Sequence, residues 1–109
     1  MKVCELALAL DWTSVSTPDD QREACGVYIG DLLSWVMGRA QCDNVWITIM
    51  SNVNIVAVAS LVDVSCIVVA EGVTLDETVV QTANQKGINV YSTSKTAYEV
   101  ASDLARLLK

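Results

Sequence analysis

The residues able to do chemistry fall in four short polar clusters, each following an apolar run. These are Gly30 and Asp31; Ser51, Asn52 and Asn54; Glu71 and Gly72; and Ser92, Thr93 and Ser94. They offer hydroxyls, side-chain amides and two carboxylates, groups suited to hydrogen-bonding a small polar ligand. Asp31 and Glu71 are the acids among them, and a carboxylate pair can divide general acid and general base roles. Arg22 and Arg39 add guanidinium groups, which match phosphate oxygens bidentately. Each cluster also has a plainer reading. Asp31, Asn52, Thr74 and Ser94 are residue types that cap helices, and Gly30 and Gly72 relieve tight turns.

Several chemistries lack their residues. The chain has no histidine, so it offers no Ser-His-Asp triad, no Cys-His dyad and no His-ligated metal. Neither GxxxxGK(S/T) nor GxGxxG occurs, which removes the usual phosphate and dinucleotide loops. Cys4, Cys25, Cys42 and Cys66 are spaced too widely for a CxxC redox or zinc motif. Three of them lie in or beside apolar runs and read as buried thiols in a reducing cytoplasm. Neither metal nor cofactor is expected.

The elements that must position these clusters are legible from periodicity. Val3, Leu6, Ala7 and Leu10 recur at helical spacing. Trp12–Val15 reads as a short strand, followed by a polar loop holding the one proline, Pro18. From Ala24 onward strands and helices alternate: strand Ala24–Gly30, helix Leu32–Ala40 capped by Asp31, strand Val45–Met50, helix Asn52–Val62 and strand Cys66–Ala70. Helix Leu75–Lys86 stops at Gly87, and strand Ile88–Tyr91 precedes helix Thr96–Leu108. Continuous apolar strands between helices call for a parallel sheet covered on both faces. The fold class expected is three-layer α/β, with a mostly parallel sheet of about five strands and right-handed crossovers. In such sheets ligands sit beyond the carboxyl ends of the strands, where the four polar clusters fall.

Composition bounds the rest. A chain of 109 residues with 52% apolar residues matches the size of one domain, residues 1–109, with its own core. Phe is absent, so Val, Leu, Ile and Ala with Trp12, Trp35 and Trp46 must fill that core. The net charge of −6 and scattered basic residues argue against nucleic acid and anionic membranes. No apolar run approaches membrane-spanning length, and the N-terminus makes a poor signal peptide. Trp35 and Met37 read as core or subunit interface rather than a base-stacking platform.

The strings GVYIGDLLSWVMGRA (26–40) and VWITIMSNVNIVAVASLVDVSCIVVAEGV (45–73) resemble the DRTGG domain family. The ending, GVTLDETVVQTANQKGINVYSTSKTAYEVASDLARLLK (72–109), is similar to the last part of the N-terminal domain of HPr kinase/phosphorylase. The naming motif is altered: Arg22 and Gly26 are kept, while Gln21, Cys25 and Val27 replace the family's Asp, Thr and second Gly. The resemblance implies a regulatory or accessory domain, of a kind found alone or attached to phosphotransacetylases and CBS-domain pyrophosphatases, and contributing to dimer contacts. The expected function is a non-catalytic homodimer sensing a small metabolite or nucleotide at the carboxyl edge of the sheet. Two other readings are a docking subunit of a larger enzyme, in one version a redox complex, using the Leu32–Val36 face, and a small enzyme built on Asp31 or Glu71.

Overall fold

The computed structural model describes residues 1–108. Helix α1 (Val3–Leu10) leads into strand β1 (Thr13–Ser16), and four strand–helix units follow. These are β2 (Val27–Ile29) with α2 (Leu33–Arg39), β3 (Val45–Thr48) with α3 (Asn54–Val62), β4 (Cys66–Val69) with α4 (Glu77–Lys86), and β5 (Val90–Ser92) with α5 (Ala97–Leu107). The sheet order is β1-β5-β4-β3-β2; β2 to β5 run parallel, and β1 lies antiparallel on β5. The five-stranded, mostly parallel α/β sheet is thus as the sequence implies.

The apolar strands explain themselves by their side-chain alternation. Val45, Ile47, Cys66, Val68 and Tyr91 face one core, shared with Val3, Leu6 and Leu10 of α1 and Val100 and Leu104 of α5. Trp46, Ile67, Val69 and Val90 face the other, shared with Val36 of α2, Ile55 and Ala59 of α3, and Val79 and Ala83 of α4. Both faces of β3 and β4 are therefore dry, and the two strands are apolar apart from the Cys66 thiol and Thr48 at the end of β3.

Helix ends differ from expectation. Asp31 does not cap α2, whose first turn has no side-chain cap. Its carboxylate instead accepts from the Thr48 hydroxyl at 2.7 Å and the Ile49 N–H at 2.9 Å. Thr48 is buried on the neighbouring strand, and its hydroxyl needs a partner more than an exposed helix start does. The caps of α4 and α5 are Asp76 and Thr96 rather than Thr74 and Ser94, with Glu99 completing a capping box. Asn52 is a capping neighbour: its side-chain oxygen takes the Asn54 N–H at 2.9 Å. Gly87 ends α4 at φ 72°, as its type suggests.

Burial corrects two readings. Cys25 and Cys42 are exposed and Cys4 is intermediate, leaving Cys66 as the buried thiol. The first two lie in turns at the sheet's amino-terminal edge, beyond the strands' packed middle. Trp35 and Met37 are exposed rather than core, because Leu33, Val36 and Ala40 take the buried face of α2.

Burial pushes the Cys66 thiol pKa up to about 12. An unfolded thiol ionises at about pH 8.5, so above that pH the unfolded chain loses a proton that the native state keeps. The stabilisation is whole below that value and is lost as the pH rises toward 12. Between pH 8 and 10.5, urea unfolding of the wild type is expected to lose about 2 kcal/mol more than that of Cys66→Val.

Candidate functional site

Three crossovers carry the chain from β2 to β5 in one direction, so α2, α3 and α4 lie on one face. After β5 the chain turns to the other face and forms α5. The loops after β4 and β5 therefore diverge, the arrangement that opens a ligand crevice in parallel sheets. A cavity of about 420 Å³ lies there, lined by Gly72, Val73, Thr74 and Leu75 from the β4–α4 loop and Ser92, Thr93 and Ser94 from β5 onward, with Thr13 and Val15 of β1 closing it.

Backbone bonds fix the two loops together. The Gly72 N–H donates to the Thr93 carbonyl and the Glu71 N–H to the Lys95 carbonyl, both at 2.9 Å. Glu71 and Gly72 take φ of 66° and 69° to make this approach, and glycine is the residue adapted to that conformation. Thr93 is held by its own N–H to Val69 and by its hydroxyl, which accepts from the Lys95 N–H. The hydroxyls of Thr13, Thr74, Ser92 and Ser94 make no side-chain hydrogen bond among the described residues, so they remain open to a ligand. No lining residue is charged. The neighbouring cation, Lys95, is paired with Asp103 at 2.8 Å. Lys95 and Arg106 together hold the Asp103 carboxyl below the usual carboxylate range.

Of the sequence-derived candidates, this crevice gathers Gly72, Ser92, Thr93 and Ser94. Glu71 borders it without lining it. Gly30, Asp31, Ser51, Asn52 and Asn54 share the carboxyl edge but belong to the turns after β2 and β3. Asp31 is engaged by Thr48 and Ile49, and the Gly30 carbonyl accepts from the Trp46 indole at 2.9 Å. Asp31 and Glu71 follow β2 and β4, separated by β3, so their backbones are about 9–10 Å apart. The Asp31 carboxylate, moreover, is committed to the Thr48 hydroxyl and the Ile49 N–H. No sequence pattern marks Thr13, Val15, Val73, Thr74 or Leu75 as site residues; the first two join it only because β1 pairs with β5.

Arg22 and Arg39 lie elsewhere. Arg22 sits at the opposite, amino-terminal edge and spans two carboxylates, Asp43 through Nε at 2.9 Å and Nη2 at 2.7 Å and Asp63 at 2.9 Å, and donates also to the Asp63 carbonyl at 2.6 Å. Its anion-binding capacity is thus already taken by the chain's own acids. Burial works against the guanidinium charge, but the bonds from Asp63 and Asp43 outweigh it and raise its pKa further. Arg39 stacks on the exposed Trp35 ring, 3.9 Å from its centroid. Cys42 lies beside this ion cluster, and desolvation followed by Asp43 and Asp63 raises its pKa. The raised pKa favours the protonated thiol over the thiolate. Among the described residues no cluster of His, Cys, Asp and Glu could hold a metal ion, and no helix is long and apolar enough to cross a membrane.

The DRTGG domain profile matches residues 5–107. The chain belongs to the DRTGG domain family. Among solved structures, this DRTGG domain is similar to the CBS and DRTGG domains of the regulatory region of Clostridium perfringens pyrophosphatase, complexed with the activator diadenosine tetraphosphate. The TM-score is 0.80 at 15% identity, covering 98% of this chain and 47% of that one. The likeness is one of fold, and the present chain spans about half the length of that structure. No curated protein sequence matches the chain. In this DRTGG domain Arg22 is structural: it ties the loop before β2 to the turns before β3 and β4.

Arg22→Ala is expected to cost about 1–2 kcal/mol in urea unfolding at pH 7. Arg22 holds the Asp63 carboxyl below its ordinary value, so this contribution is present above about pH 4 and is lost as the pH falls further. The variant should therefore show a flatter acid limb than wild type between pH 5 and 2.

Proposed function

We propose that this DRTGG domain is a non-catalytic regulatory module of the cytoplasm that binds a small polar ligand in the β4/β5 crevice and pairs with a second copy of itself. The carrying observation is the crevice: a cavity of about 420 Å³ at a point of loop divergence, walled by unengaged hydroxyls and free of charge. Hydroxyls and backbone amides in an apolar frame suit a sugar or nucleoside portion better than a polyphosphate, which would need cations the wall lacks. The pyrophosphatase region of the same fold, solved with a nucleotide activator, supports a regulatory reading. The missing nucleophile and base, and the separated acids, support a non-catalytic one.

Pairing is supported by the edge strand β2. Parallel pairing with β3 consumes the backbone groups of Tyr28, while those of Val27 and Ile29 face outward. Ile29, Leu32 and Trp35 along this edge are each about half exposed, and such an edge invites a partner. Val36 belongs to the core, so the Leu32–Val36 face contributes only its outer residues. Free exposed thiols at Cys25 and Cys42 suit a reducing compartment.

Two measurements test the reading. Thermal shift against adenosine, ATP, diadenosine tetraphosphate and acetyl phosphate is expected to single out a nucleoside-bearing compound, and Ser94→Trp, which obstructs the crevice, should weaken it at least tenfold. Silence across that panel, or an indifferent Ser94→Trp, refutes the ligand role. Sedimentation is expected to show a dimer that Leu32→Glu with Trp35→Glu converts to a monomer of 11.8 kDa. A wild-type monomer would instead favour the docking-subunit reading of the same flank.

A further inference from the structure

The two edges of the sheet are built differently. On β1 the register slips between Ser14 and Ser16, as in a bulge, and bulges are one device by which edge strands are kept from pairing. Strand β2 has no such protection. Its register on β3 is regular through Val27, Tyr28 and Ile29, and residues 25–33 hold no Pro, Lys or Arg. Their one charge, Asp31, is bonded back to Thr48 and Ile49, both through Oδ1. The Gly26 carbonyl accepts from Val45 and the Gly30 N–H donates to Ile47. Gly26, Tyr28 and Gly30 therefore face β3, and Val27 and Ile29 aim N–H and C=O outward, with no backbone partner among the described residues.

Helix α2 carries a flank that matches this edge. Leu32, Trp35 and Arg39 share one side at helical spacing, away from Leu33 and Ala40, which pack into the core. Leu32 is 57% and Trp35 53% exposed, and the Arg39 guanidinium lies over the Trp35 ring. The right-handed crossover sets α2 above β2 and β3. With α3 on its inner side, the open flank of α2 looks toward the free edge of β2.

We propose, resting on the pairing reading above, that two copies join along β2 about a twofold axis at Tyr28, so that their five-stranded sheets become one. Val27 then lies opposite the partner's Ile29, and the two exchange both backbone hydrogen bonds. The axis stands perpendicular to the sheet, so both α2 helices stay on one face. Each sits about one strand spacing from the axis, which sets the two helices antiparallel and about 10 Å apart, a distance at which helices pack. Leu32 and Trp35 of the two copies fill the gap. The antiparallel run also brings the end of each α2 to the start of the other. Arg39 thereby meets the partner's Asp31, whose Oδ2 is uncommitted. The joint consumes both unprotected edges and leaves the two bulged β1 strands as the ends, so it closes at two copies.

Amide hydrogen exchange on the wild-type chain reads this geometry. The Val27 and Ile29 amides are expected to exchange roughly tenfold more slowly in the dimer than in the diluted monomer, while the Tyr28 amide, bonded to β3, keeps one rate in both. Arg39→Asp, which sets like charges across the joint, is expected to weaken the dimer roughly tenfold in sedimentation. Facing Tyr28 residues would lie about 4.5 Å apart at Cα, within disulfide reach. Tyr28→Cys, with Cys4, Cys25 and Cys42 replaced by serine, should therefore oxidise with glutathione disulfide to a covalent dimer, whereas Ser34→Cys on the outer face of α2 should not. A wild-type monomer overturns the pairing reading and this geometry with it. A dimer whose Val27 and Ile29 amides exchange as in the monomer, or whose folded Tyr28→Cys form does not cross-link, overturns the β2 joint alone. A dimer indifferent to Arg39→Asp overturns the placement of the α2 helices.

Discussion

The direction in which the parallel strands are laid down governs the whole molecule. Each crossover from β2 to β5 turns with the same hand, so every added strand moves the same way and every crossover helix lands on one face. The other face is left to α1 and α5, which come from the two ends of the described chain. β1 must then return beside β5, antiparallel, because the position beyond β5 is the one a short connection from α1 can reach. From this one constraint follow the divergence of the loops after β4 and β5, the unpaired backbone of β2, and the exposed end of α1.

The two edges of the sheet have consequently taken different parts. At the amino-terminal edge polar groups are spent on one another. Arg22 spans Asp43 and Asp63, and Asn89 binds Asp19 through both halves of its amide while also reaching the Ser65 carbonyl. These bonds hold the loop before β2 against three other segments. At the carboxyl edge the turns after β2 and β3 are similarly closed, by Asp31 on Thr48 and by Asn52 on its own helix. Between β4 and β5 several hydroxyl groups remain without a side-chain hydrogen bond among the described residues and face one cavity.

Much of this was readable from local pattern. Alternating apolar strands and helices gave the architecture, because side-chain periodicity reports directly on which faces are covered. The helix stop at Gly87 was likewise local. What escaped was information carried between segments. Asp31 has the type and position of a helix cap, and only the neighbouring Thr48 hydroxyl, adjacent through strand pairing, redirects it. Arg22 looked free until the turns at Asp43 and Asp63 came to meet it. Thr13 and Val15 joined the crevice through the β1–β5 pairing, an antiparallel contact separated by most of the sequence. Cys25 escapes burial for a related reason: an apolar neighbour such as Val27 does not guarantee burial just before a short strand, while Cys42 lies between the polar Gln41 and Asp43.

The neutral wall of the β4/β5 crevice has a consequence for how the domain would behave in a changing milieu. Ligands held by lysine and arginine compete with dissolved ions, and their affinity falls steeply as salt rises. A ligand held by hydroxyls, backbone amides and apolar contacts does not meet that competition. An occupant of this crevice would be bound almost equally at low and high ionic strength, so the domain would report its concentration and stay indifferent to osmotic stress.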